Sequence, residues 1–307
     1  MKQFEPVGTA VAFVGTGVMG ASMAGHLLDA GADLFVFNRT RAKADSLVER
    51  GARWADSAGE AASMAQITVS MVGFPEDVEQ VYLAPGGIIE SAPPGSILID
   101  MSTSSPALAR RIAGAAALRG CTALDAPVSG GDVGARNATL TIMVGGDSAA
   151  FAAVESVLRV LGTNVILQGG PGAGQHTKLA NQVAIAGSML ATVESLAYAR
   201  AAGLDPGRVL ESIGAGSAAS WSLANLAPRI LKGDFAPGFF VKHFIKDMRL
   251  ALESAEELGI QLPGLKTAKR LYDLLAAEGG EELGTQALWL LYASADERRQ
   301  AGLEARE

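Results

Sequence analysis

The run Val11-Ala12-Phe13-Val14-Gly15-Thr16-Gly17-Val18-Met19-Gly20 constrains the fold more than any other stretch of the chain. Four apolar residues, the length of a short strand, end in a Gly-x-Gly-x-x-Gly turn. A helical pattern follows through Met23, Leu27 and Leu28 to Gly31, and a second apolar run, Leu34-Phe35-Val36-Phe37, closes the unit. Strand, glycine turn, helix and strand in that order form the context in which this glycine pattern binds a dinucleotide. Gly15 permits the tight turn, Gly17 lets the backbone approach a pyrophosphate, and Gly20 lets the helix pack close to the strand. The free N–H groups and the positive end of the helix favour the anion, so Thr16, Val18 and Met19 join the three glycines as candidate cofactor contacts. A glycine-rich turn without a ligand is the bland alternative, and the flanking pattern disfavours it.

The residue closing the second strand bears on which dinucleotide is used. Users of NAD commonly carry Asp or Glu there, to accept from the ribose hydroxyl. Here the sequence reads Asn38-Arg39-Thr40-Arg41. No carboxylate repels a ribose 2′-phosphate, and a guanidinium can hold one in bidentate fashion. Asn38, Arg39 and Thr40 are therefore candidate contacts to NADP, with NAD use left open. The plainer alternative makes Arg39 and Arg41 the start of a solvated helix.

Apolar runs at 67–72, 97–101, 122–124, 140–144 and 165–167 are separated by helical patterns such as 106–118 and 148–161. This alternation predicts a parallel sheet covered by helices on both faces. Ligands on such sheets gather at the carboxyl ends of the strands. Three segments should stand there: Met71-Val72-Gly73-Phe74-Pro75, Asp100-Met101-Ser102-Thr103, and Asp125-Ala126-Pro127-Val128-Ser129-Gly130-Gly131. Beyond Gly169-Gly170-Pro171 strand patterns stop, which places a domain boundary between 170 and 171. Helices are expected at about 175–202, 206–214, 221–231, 241–258, 263–277 and 285–301. The fold class is thus α/β: a Rossmann-type doubly wound sheet over 1–170, then an all-helical domain over 171–307, joined by a long helix.

That joining helix opens Gly172-Ala-Gly-Gln-His-Thr-Lys178 and carries no further charge until Glu194. Lys178, Asn181, Gln182 and Ile185 recur at i, i+3, i+4 and i+7, so three polar side chains share one face. A cation in the first turn opposes the helix dipole, which makes Lys178 either solvated or useful through a lowered pKa. The long uncharged run that follows argues against full solvation. His176 falls off this face and receives no role. Lys242-His-Phe-Ile-Lys246-Asp247 is the other dense polar cluster, with a helix start bearing snorkelling lysines as its ordinary reading. The tail from Asp296, with Glu297, Arg298, Arg299, Glu304 and Arg306, reads as a solvated or frayed helix end.

The chain has 307 residues, 49% hydrophobic and 19% charged, with a net charge of -7. That balance suits a soluble enzyme of two domains and offers nucleic acid or anionic membrane no basic face. A single cysteine, Cys121, excludes an internal disulfide framework and fits a reducing compartment such as the cytoplasm. Three scattered histidines without a Cys/His cluster argue against a structural metal. The opening Met1-Lys2-Gln3-Phe4-Glu5-Pro6 lacks the apolar core of a signal peptide. The 179–193 run carries Asn181, Gln182, Ser188 and Thr192, so it reads as a buried helix and not a membrane span.

Four motifs, in order along essentially the whole chain, carry a resemblance: Phe13-Val-Gly-Thr-Gly-Val-Met-Gly20, Asp125-Ala-Pro-Val-Ser-Gly-Gly131, Gly172-Ala-Gly-Gln-His-Thr-Lys-Leu-Ala-Asn-Gln182, and Lys246-Asp247. The chain resembles the β-hydroxyacid dehydrogenases, the family of 3-hydroxyisobutyrate dehydrogenase and tartronate semialdehyde reductase. The resemblance implies that Lys178 is the catalytic lysine and that Ser129, Gly130 and Gly131 hold a substrate carboxylate. It implies too that Asn181 and Gln182 orient the substrate, that Lys246 contacts the cofactor, and that Met71, Val72 and Thr103 contact the nucleotide. The implied reaction moves a hydride between NADP, or NAD, and a small β-hydroxyacid or its semialdehyde, with Lys178 as general acid or base. Homodimers or homotetramers are the family habit. One departure stands out: where the family usually reads Gly-Thr-Leu, this chain has Ala138-Thr139-Leu140, which bears on the substrate. An imine reductase is disfavoured by Lys178, and a phosphogluconate dehydrogenase by chain length and Asn181. A non-catalytic NADP-binding regulator is the alternative from another class.

Overall fold

A computed structural model describes residues 3–304; Met1, Lys2 and Arg306, read above, lie outside the described residues. The chain divides into two compact units within one helix, the first ending at Lys178 and the second starting at Leu179. No helix among the described residues is long and apolar enough to cross a membrane.

Among its described residues the first unit is built on nine strands: β1 (Ala10–Val14), β2 (Asp33–Phe37), β3 (Arg53–Trp54), β4 (Ile67–Ser70), β5 (Ile97–Asp100), β6 (Thr122–Asp125), β7 (Val128–Ser129), β8 (Leu140–Gly145) and β9 (Gly162–Gly169). Six of them lie parallel in the order β3-β2-β1-β4-β5-β6. The order reverses between β1 and β4, the switch point at which ligands collect in such sheets. The pleat distributes alternate residues to opposite faces. Val11 and Phe13 enter one apolar cluster with Leu34, Val36, Ile67, Val69, Ile97 and Ile99, whereas Val14 and Leu98 enter a second. Burial on both faces explains why these strands read as continuous apolar runs without alternation.

The far edge departs from the expected all-parallel sheet. β8 runs antiparallel to β6 and β7, and β9 is parallel to β8. β7 continues the line of β6, interrupted at Ala126-Pro127, where proline has no N–H to donate. Helical and strand patterns cannot reveal strand direction, so this reversal had no signature in the sequence.

The second unit packs helices Pro206–Gly214, Val241–Glu257 and Pro263–Ala277 with shorter ones. The long helix, Ala173–Ala201, supplies Leu179, Ala186, Met189, Val193 and Leu196 to its core. Phe244 meets Tyr272 edge-on with centroids 5.1 Å apart, and the Tyr272 hydroxyl donates to Thr285 O at 2.7 Å. Three expectations need correction. The helix expected at 221–231 is two, Trp221–Asn225 and Ala227–Leu231, because Pro228 withholds the N–H that would have continued the first. The helix expected at 285–301 is a 3-10 segment, Thr285–Leu291, and a separate helix, Ala295–Gln300, started by a Ser294/Glu297 capping box. The tail is not simply solvated: Arg298 is buried, donates to Leu290 O and Glu304 O at 2.8 Å each, and pairs with Glu278 at 3.0 Å.

Ala138 is the sole non-glycine among the described residues with positive φ, at 54°. It follows Asn137, the C-cap of helix Gly131–Arg136, and the next N–H, of Thr139, bonds Gly134 O at 2.9 Å. This is the Schellman ending, whose left-handed position normally belongs to glycine. The departure noted in the sequence is therefore a strained helix ending, with a backbone consequence of its own. Relieving it should stabilise the protein: Ala138→Gly is expected to raise unfolding free energy by roughly 1 kcal/mol, checked by urea denaturation, with no change in slope.

Candidate active site

The glycine turn is built by close approach. Gly15 has φ +100°, and its N–H donates to Phe37 O at 2.8 Å. A Cβ on Gly15 would stand 2.3 Å from Met71 O, and one on Gly20 would stand 1.9 Å from Gly15 O. These two positions admit no other residue. Gly17 differs: nothing lies within 4 Å of where its Cβ would be. Gly17 is also the N-cap of helix Val18–Asp29, with no side-chain cap and no acidic residue in the first turn. No side chain caps the first N–H groups of that helix, and Val18 beside them is 65% exposed. Thr16 is buried and its Oγ1 has no hydrogen-bond partner. Uncapped N–H groups, open space at Gly17 and a spare hydroxyl fit the pyrophosphate of a dinucleotide.

Asn38 stitches the end of β2 to this turn. Its Oδ1 accepts from Thr16 N–H at 3.0 Å and its Nδ2 donates to Thr40 O at 2.8 Å. Arg39 points outward, its side chain 89% exposed, with one long ion pair to Asp77 at 3.4 Å. Thr40 is exposed. Arg41 lies over the Trp54 ring, 5.2 Å from its centroid.

The loops after β4 and β5 are joined to each other. Met71 N–H donates to Val14 O at 2.9 Å, and Val72 N–H donates to Ser102 Oγ at 2.9 Å. Asp100, at the end of β5, accepts from Ser70 Oγ at 2.9 Å and from Ser102 N–H at 3.1 Å, while Ser70 Oγ lies 3.0 Å from Tyr82 OH. Burial pushes the Asp100 carboxyl up to about 6, against the pull of these hydrogen bonds, and nearby Asp125 adds to the rise. Thr103 stands next in this loop, half-buried. Beyond β7, Ser129 is half-buried, and Gly130 and Gly131 have φ of 131° and 62°.

Lys178 is 7% exposed. It is the sixth residue of its helix, so it lies in the second turn and not, as the sequence suggested, in the first. The first turn is occupied differently: Asp125 accepts from Gly172 N–H and Gln175 N–H, both at 2.8 Å. In the second unit, Asn181 Nδ2 donates to Gln182 Oε1 at 2.8 Å and Gln182 Nε2 donates to Asp247 Oδ2 at 2.6 Å. Lys246 Nζ stands 3.1 Å from Asp247 Oδ1, and both residues are buried. Asn181, Gln182, Asp247 and Lys246 thus form one continuous polar chain. Asp100, Asp125, Ser102 and Gln175 were not singled out as site residues in the sequence. Asp100, Asp125 and Ser102 were placed only within strand-end segments and Gln175 only within the Gly172–Gln182 motif; a carboxylate closing an apolar strand was the further signal for the first two.

Residues 10–170 match the family model described as the NAD binding domain of 6-phosphogluconate dehydrogenase. Residues 172–292 match the one described as NAD-binding of NADP-dependent 3-hydroxyisobutyrate dehydrogenase. An uncharacterized oxidoreductase of Bacillus subtilis, YkwC, is 53% identical over 282 residues, 92% of this chain and 98% of that protein. The 2-hydroxy-3-oxopropionate reductase of Escherichia coli is 40% identical over 276 residues, 90% of this chain and 94% of that protein. Among solved structures, 3-hydroxyisobutyrate dehydrogenase of Mycobacterium tuberculosis with L-serine superposes with a TM-score of 0.87 at 30% identity, covering 94% of this chain and 100% of the other. The chain belongs to the β-hydroxyacid dehydrogenase family, nicotinamide-dependent oxidoreductases acting on the CH–OH group of hydroxyacids.

The Asp100 environment has a stability consequence. Its folded pKa lies above the unfolded value, so the contribution is fully present below about pH 4 and is lost as pH rises through about 6. Asp100→Asn keeps an acceptor for Ser70 and Ser102 without the charge. The stability of wild type relative to this variant should fall by up to about 3 kcal/mol between pH 4 and pH 7, read from denaturation midpoints across that range.

Proposed function

We propose that this protein is an NADP(H)-preferring dehydrogenase that interconverts a small β-hydroxyacid and its semialdehyde, with Lys178 as general acid and base. The observation that carries the reading is a buried lysine on one helix face with Asn181 and Gln182, three and four residues on. Residues 15–20 and the uncapped start of helix Val18–Asp29 hold the pyrophosphate, with Met71, Val72 and Thr103 beside the nucleotide and Lys246 a further contact. When bound, the coenzyme supplies or accepts the hydride. Ser129 and the N–H groups of Gly130 and Gly131 hold the substrate carboxylate and settle its orientation before chemistry. Lys178 donates a proton to the carbonyl oxygen as charge builds there, and takes it back in the reverse direction. Both ends of the Gln182 amide are engaged, by Asp247 and by Asn181, so Gln182 orients Asn181, and Asn181 meets the substrate. Preference for NADP is supported by the neutral, backbone-tied Asn38 and by the outward guanidinium of Arg39. The L-serine bound by the mycobacterial relative is itself a 3-hydroxyacid, which supports that substrate class.

Coenzyme oxidation with tartronate semialdehyde and related small semialdehyde acids tests the chemistry. Lys178→Ala should cost about 10²–10⁴-fold in kcat and leave the Kd for NADPH in place; a variant as fast as wild type overturns the assignment. Coenzyme choice is tested separately by fluorescence titration. Arg39→Ala should weaken NADPH roughly tenfold and leave NADH as it was, and equal NADPH affinity in the two proteins would make Arg39 a bystander.

A further inference from the structure

We propose that Asp125 and Gln175 are positioning residues that set the height and rotation of Lys178 against the strand ends; this rests on the reading of Lys178 as the proton donor. Helix starts are commonly capped by a Ser, Thr, Asp or Asn just before the first turn, which satisfies the free N–H groups locally. Here the cap comes from 47 residues earlier in the chain. Asp125 is buried at the end of β6 and spends one oxygen on Gly172 N–H and the other on Gln175 N–H, each at 2.8 Å. A local serine would satisfy the Gln175 N–H without tying the helix to the sheet. Taking a carboxylate out of water is costly, and the charge-assisted bonds offset it only if both donors stay in place.

Two further features make the junction rigid. A Cβ on Gly174 would stand 2.3 Å from Met143 O and 2.5 Å from Asp125 O, so the helix start lies against β6 and β8 with no room to slide. Gln175 is 0% exposed, and its amide forks into the loop after β5: Nε2 donates to Ser102 O at 2.8 Å, and Oε1 accepts from Ser104 N–H at 2.9 Å. The Asp125 bonds act along the helix axis and fix its height. The Gln175 fork acts from the side and fixes its rotation. Lys178 follows Gln175 by three residues, about 4.5 Å up the helix on the neighbouring face, so any rotation at Gln175 displaces the ammonium. Ser102 also receives Val72 N–H through its Oγ. The same loop therefore holds both the lysine helix and a residue assigned to the nucleotide.

The variants are Asp125→Asn and Gln175→Leu, each alone and each combined with Lys178→Ala. Turnover is followed with whichever of 3-hydroxyisobutyrate and tartronate semialdehyde the wild type uses faster. Each single variant should lose about 10–100-fold in kcat, the cost of a misplacement near 1 Å, with the KM for the coenzyme within about twofold. In the Lys178→Ala background neither change should lower the residual single-turnover rate further, because the group being positioned is gone. A drop in that background by the same factor, or unchanged kcat in both single variants, overturns the proposal. Hydrogen exchange without coenzyme gives a readout independent of turnover: faster exchange confined to the amides of 172–178 is expected, and unaltered exchange there counts against the clamp. Should Asp125→Asn fail to fold, Gln175→Leu carries the test with the carboxylate intact. A fully active Lys178→Ala protein would defeat the lysine reading alone, and the exchange experiment would still judge the junction.

Discussion

A single carboxylate, Asp125, joins the two halves of the sequence logic. It terminates β6, belongs to the buried end of the sheet, and receives the first N–H groups of the 29-residue helix that carries Lys178. Burial raises its pKa against the pull of the backbone donors, and burial prevails. Its neighbour across the β5–β6 pairing is Asp100, another buried carboxyl. Like charges this close resist simultaneous ionisation; Asp125 has donors on both oxygens, and Asp100 accepts from Ser70 and Ser102. The strand ends are thus polar inside and apolar behind, which leaves the donors and acceptors of the loops fixed in direction.

Buried charge is treated the same way in the helical unit. Asp247 is 1% exposed and has Lys246 beside it and the Gln182 amide on its other oxygen. An ion pair taken out of water contributes little to stability, but removing one partner leaves an uncompensated charge that is costly. Such an arrangement holds side chains to one geometry. Asn181 inherits that order through Gln182, although it is itself only half-buried.

Much of the fold was legible because its signals are local. The strands buried on both faces read as apolar runs, the glycine turn announced its helix, and Pro206, Val241 and Pro263 start helices where periodicity placed them. What escaped notice depends on contacts remote in sequence. The direction of β8 is set by pairing, and the break at Pro228 lay inside an otherwise helical pattern. Arg298 looked like a solvated tail residue because its partners, Glu278 and Leu290 O, are set by packing and not by spacing. The candidate site divides in the same manner. Lys178, Asn181, Gln182 and the glycines stood out by motif, while Gln175 and Ser102 are common residue types whose work shows only in their partners. Ala138 was noticed as a letter out of place, and only φ says what that letter does.

The Asn38 carboxamide closes a small ring of consequences. One end takes the Thr16 N–H and the other gives to the Thr40 carbonyl, so both faces of the group are committed to the turn. An acid at this position could still receive from Thr16, but it would set a lone pair against the Thr40 oxygen and loosen the corner. Replacing Asn38 by an acid therefore costs this corner one of its two bonds, whereas the exposed positions 39 and 40 can change without disturbing it.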